Sequence, residues 1–341
     1  MRPYRSSVKA EDFSAETRAF FAGKRVLVTG GGGFIGSHVV EQMLVLGARP
    51  VVPTRKGVAP FIAHLGGEVA LIKADLREAN QARAACQDTD AILHLAADIG
   101  GLAYNIAHPA SIFDNNMRLG LNVLAAAASR NVGRVLLCSS ACVYPRHCSI
   151  PTPESEGFVG EPEPTNAGYG WSKRMLEFLG TQYQMERGLS VAIVRPYNAY
   201  GPRDTFDPER SHVIAALIRK AVESRDGILE VWGSGAASRS FVYVDDFARG
   251  LVEAAARHPG ADVLNIGADE EISIADLAAM IAQLTGAATG RTLRLAFQPD
   301  APAGQPRRRC DTTKARQAIG FEAKVSMHDG LRRTIAWYLA Q

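Results

Sequence analysis

Several classes of protein are excluded by what this sequence lacks. No apolar run reaches the roughly 18 residues that a membrane-spanning helix needs. The five cysteines, Cys86, Cys138, Cys142, Cys148 and Cys310, form no CxxC pair and no Cys/His zinc spacing, so no metal site is expected. An odd, scattered set suits a reducing compartment, and a cytoplasmic protein is expected. Charge of either sign is nearly balanced. A net charge of +3 spread over 341 residues gives no support to nucleic-acid or membrane binding. Repeats and low-complexity tracts are absent. The first 23 residues carry scattered charges and no long apolar core, so they do not read as a signal peptide. They read as an extension: a surface helix near 13–21, or a frayed tail.

What remains is a chain 47% hydrophobic, ample for a large core, with strands that end in small residues. Arg25-Val26-Leu27-Val28 is a strand. Thr29-Gly30-Gly31-Gly32-Gly33-Phe34-Ile35-Gly36 follows directly, and 37–46 has helical periodicity. Gly30, Gly33 and Gly36 stand in GxxGxxG spacing between strand and helix. That is a turn able to admit a pyrophosphate, with Phe34 and Ile35 opening a helix whose N–H groups face it. A dinucleotide is therefore expected. A second strand, Pro50-Val51-Val52, lacks the terminal Asp or Glu that suits a free ribose 2′-hydroxyl. It offers Arg55 and Lys56, which suit a 2′-phosphate, so the cofactor is read as NAD(P), leaning to NADP. The plainer alternative is a solvated basic turn. After the next strand, Asp75 and Leu76 are placed beside the adenine. Ala91-Ile92-Leu93-His94 leads into Leu95, Ala96 and Ala97, small enough to pass close under a cofactor. His94 reads as a satisfied core histidine.

Arg134-Val135-Leu136-Leu137-Cys138 is a buried strand that runs into Ser139-Ser140-Ala141-Cys142-Val143-Tyr144-Pro145. Small polar groups thus meet the carboxyl edge of a sheet, where ligands bind in open α/β folds. Helices are predicted over 112–129 and 169–186. The second opens with Tyr169 and Lys173 at i and i+4, on one face. An ammonium beside a phenol is expected to lower the tyrosine pKa and let it exchange a proton with an alcohol. Ser140 is placed to orient the same hydroxyl. A sixth strand over 191–196 leads to Tyr197-Asn198-Ala199-Tyr200-Gly201-Pro202. A helix over 211–224 begins Ser211-His212. Asp245 and Asp246 are read as caps of a helix over 247–257.

With these residues together, the chain resembles the extended short-chain dehydrogenase/reductases that epimerise or dehydrate nucleotide sugars. The likeness covers nearly all of 24–340. It rests on TGGGGFIG, His94-Leu95-Ala96-Ala97, Ser140 with YxxxK, Arg195-Pro196-Tyr197-Asn198 and the Asp245-Asp246 element. Ser-Ala-Cys-Val-Tyr-Pro is similar to the cysteine segment of the GDP-mannose 3,5-epimerase and GDP-fucose synthase branches. Asp98-Ile99-Gly100-Gly101 leans to the first, and Ser211-His212 to the second.

The resemblance implies a Rossmann-type doubly wound parallel sheet over 24–200 and a smaller mixed α/β substrate-binding domain over 201–341, partly interleaved with it. It implies Cys142 and His212 as an acid–base pair acting on carbons beside a C4 ketone. Gly100, Gly101, Asn198, Arg239 and Arg308 are implied as substrate contacts. Singly, Cys142 is a small buried thiol and His212 a surface helix residue; it is the shared context that favours chemistry. The reading put first is a GDP-hexose C3/C5 epimerase that retains its cofactor. The alternative is a 3,5-epimerase/4-reductase that consumes NADPH on a 4-keto-6-deoxy sugar. A non-catalytic dinucleotide sensor would not need Tyr169 and Lys173. A homodimer is implied, through the helices over 112–129 and 169–186.

Overall fold

Apolar runs buried on both faces form parallel strands, because helices must return the chain to the same end each time. The computed structural model describes residues 4–300 and 306–341, so residues 1–3 of the extension and Gln305 lie outside the described residues. Seven strands form one parallel sheet: β1 (Arg25–Thr29), β2 (Arg49–Thr54), β3 (Ala70–Lys73), β4 (Ala91–His94), β5 (Arg134–Cys138), β6 (Val191–Pro196) and β7 (Val263–Ile266). Their order is β3-β2-β1-β4-β5-β6-β7, a doubly wound Rossmann arrangement. The order in which successive strands are added reverses between β1 and β4, which opens a crevice at the carboxyl ends of these strands. Residues of β1 alternate between two cores: Val26 and Val28 on one face, Leu27 on the other.

Six helices matter for the site. They are α1 (Ala15–Phe21), α2 (Phe34–Val45), α3 (Pro109–Ser129), α4 (Ala167–Arg187), α5 (Val213–Glu223) and α6 (Val244–Arg257). Helices α3 and α4 lie side by side over one face of the sheet, close enough that Leu176 fills the space a side chain on Gly120 would take. Helices α2 and α6 cover the other face. Strand β7 and helix α6 return to the main sheet from beyond residue 201. A third core, around Ile218, Leu229, Phe241 and Ile281, supports the smaller lobe. There, Ser238–Ser240 pairs with Glu271–Ser273 and with Arg307–Arg308.

Two sequence expectations are corrected here. Helix α6 starts at Val244, so Asp245 and Asp246 sit in its first turn and do not cap it. The Asp245 carboxylate accepts from His38 Nδ1 at 2.8 Å, and Asp246 accepts from the backbone N–H groups of Lys324 and Val325 at 2.7 Å each. In the extension the expected helix near 13–21 forms as α1, but among the described residues 4–23 it is packed into the fold and not superficial. Phe13 and Phe21 are buried, Ser14 caps α1, and Ser14 N and Thr17 Oγ1 donate to the buried Glu253 at 2.8 and 2.7 Å. Residues 4–7 run as a strap across both lobes. Ser6 N donates to Glu41 of α2 at 2.6 Å and Ser7 N to Asp245 of α6 at 3.2 Å. Asp245 and Glu41 already have His38 and Arg203 as partners, and the strap's N–H groups fill further acceptor sites on these buried carboxylates.

Candidate active site

The crevice at the strand ends is a cavity of about 1040 Å³ that runs from the glycine turn to the smaller lobe. At one end, Gly30 has φ +72°, and a methyl on Gly36 would overlap the Gly30 carbonyl. The turn therefore needs glycine at both positions and leaves the α2 N-terminus bare. Gly33, Phe34 and Ile35 line the cavity there. A bare helix start of this kind presents N–H donors and a positive dipole end to a pyrophosphate, so the residues present fit a dinucleotide. Asp75 and Leu76 line the same end, with Asp75 held by Arg77 at 2.6 Å. Arg55 lines it too, and is exposed. Lys56 does not reach the cavity, so the expected pair of cations reduces to one.

Thr29 and His94 fix the floor. Thr29 Oγ1 accepts from the N–H groups of Leu95 and Ala96, each at 3.1 Å, which leaves its own proton for His94 Nδ1 at 2.8 Å. That arrangement requires a neutral imidazole protonated on Nε2, and burial pushes the His94 pKa down to about 3. Nε2 itself has no protein partner, so the expected satisfied histidine is satisfied on one side only. Leu95, Ala96 and Ala97 then line the cavity.

In the middle, Ser140, Cys142, Tyr169 and Lys173 come together from β5 and α4. Ser140 Oγ accepts from Cys142 N at 3.0 Å and shares a hydrogen bond with the Tyr169 hydroxyl. Lys173 Nζ donates to the Cys138 carbonyl at 2.7 Å. Contrary to expectation, the Tyr169 pKa is not lowered. Burial raises it well above the ordinary value, the nearby Cys142 and Cys138 add to this, and the Ser140 hydrogen bond offsets only part. Burial also lowers the Lys173 pKa. Desolvation disfavours both charged forms, and it outweighs the ammonium–phenol attraction.

His212 joins this group from the smaller lobe, as the N-cap residue of α5. Its ring is open to the cavity but crowded by protein, and that desolvation lowers its pKa. Asn198 lines the cavity while its Nδ2 donates to the Ser240 carbonyl at 2.9 Å. Arg239 and Arg308 stand opposite each other on paired strands. Neither has a carboxylate partner among the described residues. Burial, then repulsion by Arg308, brings the Arg239 pKa down to about 10. Two guanidinium groups held together without acids have the charge and the donors that an anion needs. Gly100 lines the cavity. Gly101 does not; it backs onto the Glu209 carbonyl.

The sequence reading passed over Glu177, which lies four residues after Lys173 on the same helix face. Its carboxylate receives Arg195 Nε at 2.9 Å and Nη2 at 2.6 Å, and Ser139 Oγ. The four-residue step from Tyr169 to Lys173 to Glu177 was the available signal. Asp204 was also passed over, because only the folded loop turns it inward.

Fold and site together define an NAD(P)-dependent enzyme with a tyrosine–lysine–serine centre. The chain belongs to the NAD dependent epimerase/dehydratase family, whose model matches residues 26–267. It is 33% identical to a dTDP-4-dehydro-6-deoxy-D-allose reductase from a Streptomyces species, over 93% of this chain and 97% of that one. It is 31% identical to GDP-L-fucose synthase of Escherichia coli K12, over 93% and 97%. Among solved structures, a GDP-L-fucose synthetase from Naegleria fowleri superposes with a TM-score of 0.80 at 25% identity, covering 93% of each chain.

The neutral His94 leads to a pH prediction. Its folded pKa of about 3 lies below the unfolded value near 6.5. Between these, the unfolded chain binds more protons, so stability rises with pH. The contribution is complete above about 6.5 and is lost as pH falls toward 3, at up to about 1.4 kcal/mol per pH unit. Urea melts from pH 7 to 4 should show this slope in the wild type and a shallower one in His94→Gln.

Proposed function

We propose that this enzyme is an epimerase/reductase that converts a 4-keto-6-deoxy nucleotide sugar with net consumption of NADPH. The observation that carries the reading is the similarity, along nearly the full length, to a dTDP-4-dehydro-6-deoxy-D-allose reductase and to GDP-L-fucose synthases, and Tyr169 is placed to serve it. Its phenol is buried and held protonated, and it lines one cavity with Ser140, Cys142 and His212. Reducing a ketone requires a proton donor at the oxygen, and a protonated phenol is that donor.

NADPH, when bound, supplies the hydride that reaches C4. Tyr169 gives its proton to the C4 oxygen, which Ser140 orients. Lys173 braces the end of β5 through the Cys138 carbonyl. Before reduction, the ketone acidifies the C–H bonds at C3 and C5. Of Cys142 and His212, one takes such a proton and the other returns one to the opposite face, which inverts the carbon. Arg239 and Arg308 hold the diphosphate, with Asn198 and Gly100 against the sugar. On this reading the part of the chain from 201 onward is the substrate-binding portion, and 24–200 holds the cofactor. The redox-neutral C3/C5 epimerase put first from sequence becomes the second reading. It is favoured by the Asp98–Gly101 segment and the Ser-Ala-Cys form alone.

The deciding experiment uses GDP- and dTDP-4-keto-6-deoxyhexoses in D₂O. Absorbance at 340 nm should fall by one NADPH per turnover, and deuterium should enter ring carbons. A steady 340 nm reading with deuterium entry would mark the redox-neutral epimerase. Cys142→Ser should lose about 10²–10⁴-fold of the deuterium wash-in while still binding NADPH. Tyr169→Phe should stop NADPH oxidation yet continue exchange on the same ketone.

Cofactor choice rests on Arg55, an exposed cation lining the adenine end. Arg55→Asp should weaken NADPH far more than NADH in a fluorescence titration. A wild type that binds NADH more tightly would overturn this assignment.

Helices α3 and α4 carry an outward apolar set, with Phe178 56% and Met185 76% exposed, and Leu121 and Trp171 beside them. A patch of that kind on paired helices suits a second copy of the chain. A homodimer mass is expected by light scattering at micromolar concentration, and Phe178→Glu should shift it to monomer.

A further inference from the structure

Among the described residues, three carboxylates line the cavity: Asp75, Asp98 and Asp204. Two have partners of their own. Asp75 is paired with Arg77 at 2.6 Å. Asp98 accepts from Asn115 Nδ2 at 2.7 Å and from the Tyr104 hydroxyl at 3.4 Å. Asp204 has no cation. Its one hydrogen bond comes from the next residue in its own loop, Thr205 N to Oδ1, at 2.7 Å. Its side chain is nonetheless only 8% exposed. A carboxylate has about four acceptor sites, and leaving them dry and unpaired is costly. Burial accordingly pushes the Asp204 carboxyl up to about 7.

The backbone around Asp204 is braced from behind. Arg203 sits at φ +71°, a conformation that a long side chain rarely adopts. Its guanidinium is held by Glu41 Oε1 and by the Tyr4 carbonyl, each at 2.6 Å, and it lies 5.4 Å from the Tyr4 ring centre. The Pro202 carbonyl accepts from His38 Nε2 of α2 at 3.1 Å. None of these contacts uses the Asp204 carboxylate. A strained, well-braced loop that presents a costly group to a cavity is a pattern found at functional positions.

Several cations elsewhere on the cavity wall, Arg55, Arg239 and Arg308 among them, and the α2 N-terminus suit phosphates. A carboxylate repels phosphate and needs a neutral donor. The neutral donors that dinucleotides and nucleotide sugars carry in number are hydroxyls. We propose that Asp204 accepts a hydrogen bond from a sugar hydroxyl of a bound ligand, and that the amino-terminal strap holds it there through Tyr4 and Arg203. This rests on the reading of the cavity as a dinucleotide and nucleotide-sugar site. The hydroxyl belongs either to the cofactor or to the substrate.

The test uses full-length Asp204→Asn, which keeps an acceptor for Thr205 N and turns an NH₂ toward the cavity. Three quantities are measured: the Kd for NADPH by fluorescence, the Kd for GDP- and dTDP-hexoses by calorimetry, and Tm. Hydrogen bonds to charged groups correspond to about 10- to 100-fold in affinity. A loss of that size is expected in one arm, and the arm identifies the source of the hydroxyl. Tm should hold or rise, because an isolated buried charge is removed, whereas a purely structural Asp204 would lower Tm. Deleting residues 1–7 should weaken the same arm at least threefold. Thr17→Val, which loosens only the Glu253 anchor, should lower Tm and leave affinity unchanged.

Equal affinities for wild type and Asp204→Asn in both arms would overturn the proposal alone. So would an affinity loss accompanied by a matching fall in Tm. A wild type that binds neither NADPH nor any of these nucleotide sugars would overturn the reading of the cavity, and this proposal with it.

Discussion

One buried ion pair, Glu177 with Arg195, sets the geometry on which the chemistry depends. Both side chains are at most 3% exposed. Glu177 belongs to α4, the helix that carries Tyr169 and Lys173. Arg195 belongs to β6, the strand that leads to Asn198. Arg195 Nη1 goes on to the Tyr144 hydroxyl at 3.1 Å, and Tyr144 donates to Asn265 of β7 at 2.6 Å. Ser139 completes the set from the end of β5. The segment from Ser139 to Tyr144, which contains Ser140 and Cys142, is thereby fastened at both ends to one charged centre. Buried pairs contribute little net stability, but losing one partner costs several kcal/mol because the other charge is left dry. Such a pair permits only one arrangement of the helix, the strand and the loop.

The cavity sorts its chemistry by position. The glycine turn and Arg55 make one end attractive to phosphate, and Arg239 with Arg308 do the same at the other. Between them lie a serine, a thiol, a phenol and a crowded imidazole, none of which needs to carry charge at rest. A ligand with anionic groups at two places and a neutral ring between them matches this pattern. Burial of the Tyr169 ring is also why its pKa is raised: a phenolate there would lose the solvation it needs.

The sequence was most legible where function depends on local spacing. The GxxGxxG turn, the YxxxK pair and the small residues after β4 and β5 each report a backbone requirement within a few residues. The strand order followed from alternating strands and helices. It was least legible where partners are distant in the chain. Lys56 is adjacent to Arg55 and exposed, but only Arg55 lines the cavity. Asp245 and Asp246 read as helix caps because the partners of Asp245, His38 and Ser7, lie more than 200 residues away. The direction of the Tyr169 shift depends on how much water surrounds it, which spacing does not report. Asp204 becomes visible only once Arg203 is seen clamped by Glu41 and Tyr4.

The strap also bears on the order in which this molecule matures during synthesis. Residues of the extension leave the ribosome long before their partners: Ser14 bonds Glu253, 239 positions on, and Ser7 meets Arg333, 326 positions on. At roughly 5–20 residues per second, the first of these waits is about 10–50 s. During that interval Phe13 and Phe21 lack α6, whose apolar residues share their core in the folded protein. The seventh strand and the helix that carries Arg333 both emerge later still, so Ser7 can meet Arg333 only after all seven strands of the sheet have been made.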